Sequence, residues 1–155
     1  MVNNLINLSD AGFKFITQPS FDSFHAIPYR DSGGLWTVGY GQRISAADAV
    51  KYKDGITEEF GKKLFDSYIS GLTKKLSDCP LHGLFQYQHD AIISLSYNLG
   101  FEGFINSEIY KQLIIRNGNL SDWLLYVYDA QRHKDQGLVL RREKELRLFV
   151  FGLYT

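Results

Sequence analysis

Tyr29-Arg30-Asp31-Ser32-Gly33-Gly34-Leu35-Trp36-Thr37-Val38-Gly39-Tyr40-Gly41 is the stretch on which the architecture turns. Asp31-Ser32-Gly33-Gly34 is a tight-turn sequence, because glycine reaches positive φ without a steric cost. The β-rich run from Leu35 to Tyr40 behind it sets Leu35, Thr37 and Gly39 on one face and Trp36, Val38 and Tyr40 on the other. The β character extends from Tyr29 to Ile44 and predicts a hairpin.

Outward from the hairpin the pattern is helical. Leu8-Ser9-Asp10 opens a helix with Ser9 or Asp10 as cap, which Pro19-Ser20 should stop. Thr57-Glu58-Glu59 caps a second, in which Phe60, Leu64, Tyr68 and Leu72 recur every four residues before Pro80. Gln86-Tyr87-Gln88-His89 opens another, over Gln88–Leu99, with Gly100 beyond its end. Further helices are expected over Glu108–Arg116, Asp122–Ala130 and Leu138–Val150, stopped by Gly118, Arg132–Gly137 and Gly152. The aromatics Phe60, Phe65, Tyr68, Tyr97, Phe104, Phe149 and Phe151 are at core-like spacing. A small N-terminal β-hairpin lobe and a larger helical lobe make an α+β domain of 155 residues with an interlobe cleft. The N-terminal helix and β lobe span about residues 8–56 and the helical lobe about 57–155.

Composition removes several function classes. Seventeen Lys and Arg cancel seventeen Asp and Glu, so no global positive field draws the chain to nucleic acid or an anionic membrane. No apolar run approaches the ~20 residues a membrane helix needs, and stable membrane insertion is not expected. Met1-Val2-Asn3-Asn4-Leu5 lacks the basic and apolar segments of a secretory signal. Cys79 is alone, and His25, His82, His89 and His133 have no ligand-like spacing, so neither a metal nor a cofactor is expected. Charge is nevertheless uneven: residues 1–60 hold 5 basic and 7 acidic side chains, residues 61–155 hold 12 and 10. The acidic N-terminal side and the basic last helix are expected to face each other across the cleft. The basic segment holding Arg132, Lys134, Arg141, Arg142, Lys144 and Arg147 is expected mainly as a solvated helix face.

Three polar residues, Asp22, Asp31 and Thr37, can be gathered by the hairpin. Glycoside cleavage needs one carboxyl to protonate the leaving oxygen and a second to serve the nucleophile, and a hydroxyl beside the second can orient water. Taken singly, each has an ordinary structural use as turn-former, strand residue or cap.

The Tyr29–Gly41 hairpin resembles that of phage-type lysozymes, glycoside hydrolase family 24. Leu8-Ser9 with Gly12 is similar to that family's opening helix, and Ile56-Thr57-Glu58-Glu59 to the start of its connecting helix. Ser96-Tyr97-Asn98-Leu99-Gly100 with Phe104 and Ser107, and Gly137-Leu138 through Arg141-Arg142 to Glu145, resemble two later blocks. The blocks stand in family order over roughly residues 8–150. The resemblance implies a peptidoglycan hydrolase, or muramidase, that cleaves the β-1,4 bond between N-acetylmuramic acid and N-acetylglucosamine. It implies a catalytic set of an acid seven residues before Tyr29, then Asp31 and Thr37, which makes Asp22 the acid. Tyr29, Gln42 and Arg142 are implied at or behind the substrate, with Arg142 beside Asp22.

Three positions depart from the family pattern. Its acid is Glu where this chain has Asp22, Ser23 replaces a Gly, and Gln42 stands in the place of a His. Around Pro19-Ser20 there are two extra residues, which either carry the shorter Asp22 toward the cleft or leave the acid unsupported. A second reading therefore stays open: a catalytically impaired lysozyme-fold module that binds peptidoglycan or a protein partner. On either reading the expected partner is bacterial peptidoglycan and the expected state a monomer, made in the cytoplasm and meeting the wall after release.

Overall fold

A computed structural model describes residues 5–116 and 119–155. The reading of residues 1–4 as free of a signal, and the helix stop at Gly118, lie outside the described residues. The chain runs α1 (Asp10–Ile16), β1 (His25–Arg30), β2 (Trp36–Gly39), β3 (Gln42–Arg43), α2 (Ala46–Lys51), α3 (Glu58–Ser77), α4 (Gln86–Leu99), α5 (Phe101–Ile105) and α6 (Glu108–Ile115). A 3-10 helix (Leu120–Leu125) and α7 (Gln136–Phe151) complete it. The result is the α+β, lysozyme-like arrangement expected: a small three-stranded antiparallel sheet beside a larger helical body.

The sheet has the order β1-β2-β3, with Tyr29 opposite Thr37 and Thr37 opposite Arg43. The register slips between His25 and Tyr29, where Pro28 has no N–H to give the ladder. That is tolerable because β1 is an edge strand. The β region therefore begins at His25, four residues before its expected start, and Gln42 and Arg43 add a third strand to the hairpin.

Helix α4 is the axis of the body, and Asp90 through Ser96 are consecutively buried as α1, α3, α5 and α7 pack around it. Its first turn opens at Gln86, two residues before the expected start of the helix, where the Gln88 side chain accepts from the Phe85 N–H at 3.0 Å. Buried Asp90 ties three segments together. It accepts from the Ser9 N–H and hydroxyl at the start of α1, from Gln86 at 2.9 Å and from the Tyr154 hydroxyl at 2.6 Å. Gly12 makes this possible, since a Cβ there would lie 2.6 Å from the Asp90 carboxyl carbon.

Two regions differ from the pattern-based expectation. Residues 122–130 are not an α-helix. The 3-10 turn gives way to an isolated bridge between Tyr128 and Lys134, and Asp129 accepts from the N–H groups of Gln131 and His133. The β-branched and aromatic run Tyr126-Val127-Tyr128 resists helix, while the Asp129 carboxylate offers the backbone a competing turn. The aromatic set also divides: Phe65, Phe104 and Phe149 are buried, whereas Tyr68 is 44% and Phe151 70% exposed. Helices α2 and α5, too short to show a period, are additions to the expected set. Among the described residues no helix is long and apolar enough to cross a membrane.

Candidate active site

Between the sheet and the helical body lies a cleft of about 1020 Å³, lined by Asp22, Tyr29, Asp31, Thr37 and Gln42 together with Tyr68, Tyr97 and Arg141. The hairpin delivers two of these by register. Asp31 sits at the turn, where its Oδ1 accepts from the N–H groups of Gly33 at 2.9 Å and Leu35 at 2.8 Å. This fixes the carboxylate by Oδ1, and Oδ2 lies 3.9 Å from the exposed Arg43 guanidinium, Asp31 and Arg43 both lining the cleft. Buried Thr37 donates its hydroxyl proton to the Leu35 carbonyl at 3.1 Å, so its oxygen can only accept from anything in the cleft.

Asp22 comes from the α1–β1 connection and is held at three points. Its N–H donates to the Ile16 carbonyl at 3.1 Å, closing the loop around Pro19-Ser20. Its Oδ2 accepts from Arg141 Nη1 at 2.7 Å. Its Oδ1 lies against Gly41, where an added Cβ would come within 2.8 Å. Pro19-Ser20 thus lie in a closed turn, and the aspartate that follows is fixed in the cleft wall at 25% side-chain exposure.

The arginine beside Asp22 is Arg141, which corrects the assignment of Arg142. Both belong to α7, but one residue turns the side chain by about 100° around a helix axis. Arg141 therefore faces the α1–β1 loop, stacked 4.9 Å above the Phe21 ring, while Arg142 faces the Tyr126 carbonyl at 3.0 Å and the Asn98 side chain. Both reach Glu145, which also accepts from Ser94 at 2.6 Å and from the Trp123 indole at 3.3 Å. Arg141, Arg142 and Glu145 are all buried, so these two arginines form an interior network and not the solvated face expected, whereas Arg132, Lys134 and Arg147 are exposed. Burial opposes the charge of Arg141, yet the Asp22 and Glu145 carboxylates outweigh it and raise the guanidinium pKa. For Arg142 burial wins over Glu145 and the pKa is lowered.

Gln42 is not open to the cleft alone. Its amide accepts from the Tyr40 N–H at 3.1 Å, donates to the Tyr40 carbonyl at 3.3 Å, and donates to the Tyr97 hydroxyl, which itself bonds the Tyr40 carbonyl. This closed loop of bonds pins the tip that carries Gly41. Burial raises the phenol pKa of Tyr97, and Asp22 adds to it. Tyr29 behaves alike: burial comes first, then Asp22 and Asp31, so it stays neutral between two carboxylates. At the cleft mouth Gln131 donates to the Ser32 carbonyl at 3.1 Å, joining the helical body to the hairpin tip.

Asp22, Asp31, Thr37, Tyr29 and Gln42 are thus brought to one cleft, and Arg142 stands behind it. Missing from the expected set are Arg141, Gly41, Ser94 and Glu145. The spacing of Arg141 and Arg142 to Glu145, four and three residues, was the available signal, because both arginines lie within side-chain reach of it on a helix. Among the described residues no group of three His, Cys, Asp or Glu is placed to hold a metal ion.

Comparison with known proteins bears on the family and the fold. The endolysin of Acyrthosiphon pisum secondary endosymbiont phage 1 is 27% identical over 149 residues, covering 93% of this chain and 98% of that protein. The endolysin of Salmonella phage P22 is 27% identical over 124 residues, 79% of this chain and 84% of its own. Among solved structures, an endolysin from Escherichia coli O157:H7 phage FAHEc1 superposes with a TM-score of 0.83 at 23% identity over 96% of both chains. The muramidase domain of SpmX from Asticaccaulis excentricus superposes with a TM-score of 0.78 at 23% identity, covering 93% of this chain and 97% of that one. Both share the fold. The phage lysozyme family model matches residues 19–145, from the turn before Asp22 to Glu145, and the chain belongs to that family.

Proposed function

We propose that this glycoside hydrolase cuts the β-1,4 bond between N-acetylmuramic acid and N-acetylglucosamine with Asp22 as general acid, Asp31 as the group that holds the attacking water, and Thr37 as its orienter. The observation that carries the proposal is the Asp22 carboxyl in the same cleft as Asp31 and Thr37, with Oδ2 committed to Arg141. The oxygen left for a transferable proton is Oδ1, beside the side-chain-free Gly41. From there the proton passes to the glycosidic oxygen as the bond to the anomeric carbon breaks. The water adds to that carbon and gives its proton to Asp31 Oδ2, while its other O–H donates to Thr37 Oγ1. Tyr29, held neutral, adds no third negative charge.

Asp22 is one methylene shorter than a glutamate, and the Ile16, Gly41 and Arg141 contacts are what support its placement in the cleft in spite of that. Membership of the phage lysozyme family does not favour the second reading, a binding module without hydrolysis. The test is clearing of purified peptidoglycan by the natural protein beside Asp22→Asn, Asp22→Glu and Asp31→Asn. The natural protein should release muropeptides ending in a reducing N-acetylmuramic acid, and both Asn variants should lose at least about 100-fold in rate. No release by the natural protein together with release by Asp22→Glu would overturn the proposal and leave the binding module. The proposal extends to a monomer that meets the wall after release from the cytoplasm, which gel filtration and cell fractionation check.

A further inference from the structure

Glu145 takes no part in the chemistry above, yet it is fully buried and is the acceptor on which four donors converge: Ser94, Trp123, Arg141 and Arg142. A buried carboxylate with that many partners, one bond away from the arginine that grips Asp22, is placed to act on the acid. We propose that Glu145 is a positioning residue for Asp22, setting both the direction of the Arg141 fork and the charge that Asp22 meets. The inference rests on the reading of Asp22 as the acid.

The orientation follows from the bonds. Arg141 gives Nε to Glu145 at 3.0 Å and Nη2 to the Ser94 carbonyl at 3.1 Å, which leaves Nη1 as the nitrogen that reaches Asp22 Oδ2. The planar guanidinium cannot rotate toward or away from Asp22 without breaking the other two bonds. Ser94 donates to the same Glu145 oxygen at 2.6 Å, so α4 and α7 both hold the fork.

The charge balance follows too. Asp22, Glu145, Arg141 and Arg142 sum to zero when Asp22 is ionised and to one positive charge when it carries the proton it must donate. Without Glu145 the same steps run between one and two buried positive charges, and the protonated acid is penalised. The other groups that face Asp22 remain as they are: Tyr97 from α4, and Tyr29 and Asp31 from the hairpin. Arg43 lies beyond Asp31, Tyr68 packs on Tyr97, and Lys144 of α7 is spent on Gln18. None of these replaces the negative charge of Glu145 next to the arginines.

The test compares the natural protein with Glu145→Gln, Arg142→Gln and the double variant. The readouts are carbon NMR titration of the Asp22 carboxyl, assigned with Asp22→Asn, and the pH profile of peptidoglycan clearing. In Glu145→Gln both readouts should move to lower pH. In Arg142→Gln they should move up, and the double variant should return toward the natural value. If either folded single variant leaves both readouts in place, the proposal is overturned and Glu145 only supports the fold. Should Glu145→Gln not fold, Arg142→Gln carries the same test. Asp22→Asn separates the two inferences: if it clears as fast as the natural protein, Asp22 is not the acid, whatever Glu145 does.

Discussion

Arg141 Nη1 donates to Asp22 Oδ2 at 2.7 Å, joining residues 119 positions apart in the chain. The pair makes the last helix a wall of the cleft, and it couples stability to the proposed site. Arg141→Met strips one partner from Asp22 and one from fully buried Glu145, and should cost about 3–5 kcal/mol of stability. Arg141→Lys keeps the charge but cannot reach Asp22, Glu145 and Ser94 at once, so it should recover only part of that stability and little of the clearing rate. Urea unfolding and peptidoglycan clearing, measured on both variants, check this. Equal stability of Arg141→Met and the natural protein would contradict it.

Gly41 is the other neighbour of Asp22. It has φ of 86°, and a Cβ there would lie 2.8 Å from Asp22 Oδ1. Gly41→Ala therefore meets two costs: backbone strain of about 1–2 kcal/mol, and a carboxyl group pushed from its place. A displacement of about 1 Å is worth on the order of 100-fold in rate. The variant should stay folded while its clearing rate falls well beyond what the stability loss explains. A rate that falls only in step with stability would count against the placement of the proton on Oδ1.

How much of this could be seen in the chain alone depends on the range of the cause. The hairpin was legible because Asp31-Ser32-Gly33-Gly34 encodes its turn locally, and the long helices because their periods and caps are local as well. Asp31 and Thr37 could be singled out only through the family resemblance, since each alone has an ordinary use in a turn or a strand. Residues 120–134 were not legible, because a short apolar run has no period that separates helix from 3-10 turn, and the Asp129 bonds prevail only once the segment is folded. The choice between Arg141 and Arg142 turned on the rotation of α7 about its axis, which is set by packing against α4. The spacing of both to Glu145 does not say which one looks outward.

Tyr97 and Gln42 should behave as one unit. The Tyr97 hydroxyl donates to the Tyr40 carbonyl and accepts from the Gln42 amide, while Gln42 also closes on the Tyr40 backbone. Tyr97→Phe leaves these buried groups short of a partner and should cost about 1–3 kcal/mol. Gln42→Ala should cost a similar amount, and the double variant distinctly less than the sum, because each change removes the same bond. A double-mutant cycle by urea unfolding measures the coupling. Strict additivity would mean that the two side chains do not share the load.

The last prediction concerns pH. His89 Nδ1 is buried with no hydrogen-bond partner among the described residues, and burial lowers the imidazole pKa from its ordinary 6.5, with the Asp90 charge opposing only in part. The native state therefore prefers neutral His89, and between the lowered folded value and 6.5 the unfolded chain binds more protons. Stability must rise with pH through that window. The contribution is fully present above the unfolded value and is lost as the pH falls toward the folded one. Urea midpoints should thus drop between about pH 7.5 and pH 5.5, near the range where histidine titrates. His89→Leu cannot take up a proton in either state, so its midpoints should change less over the same interval. If the natural protein and His89→Leu lose stability in parallel, the acid sensitivity comes from other groups and His89 is not its source.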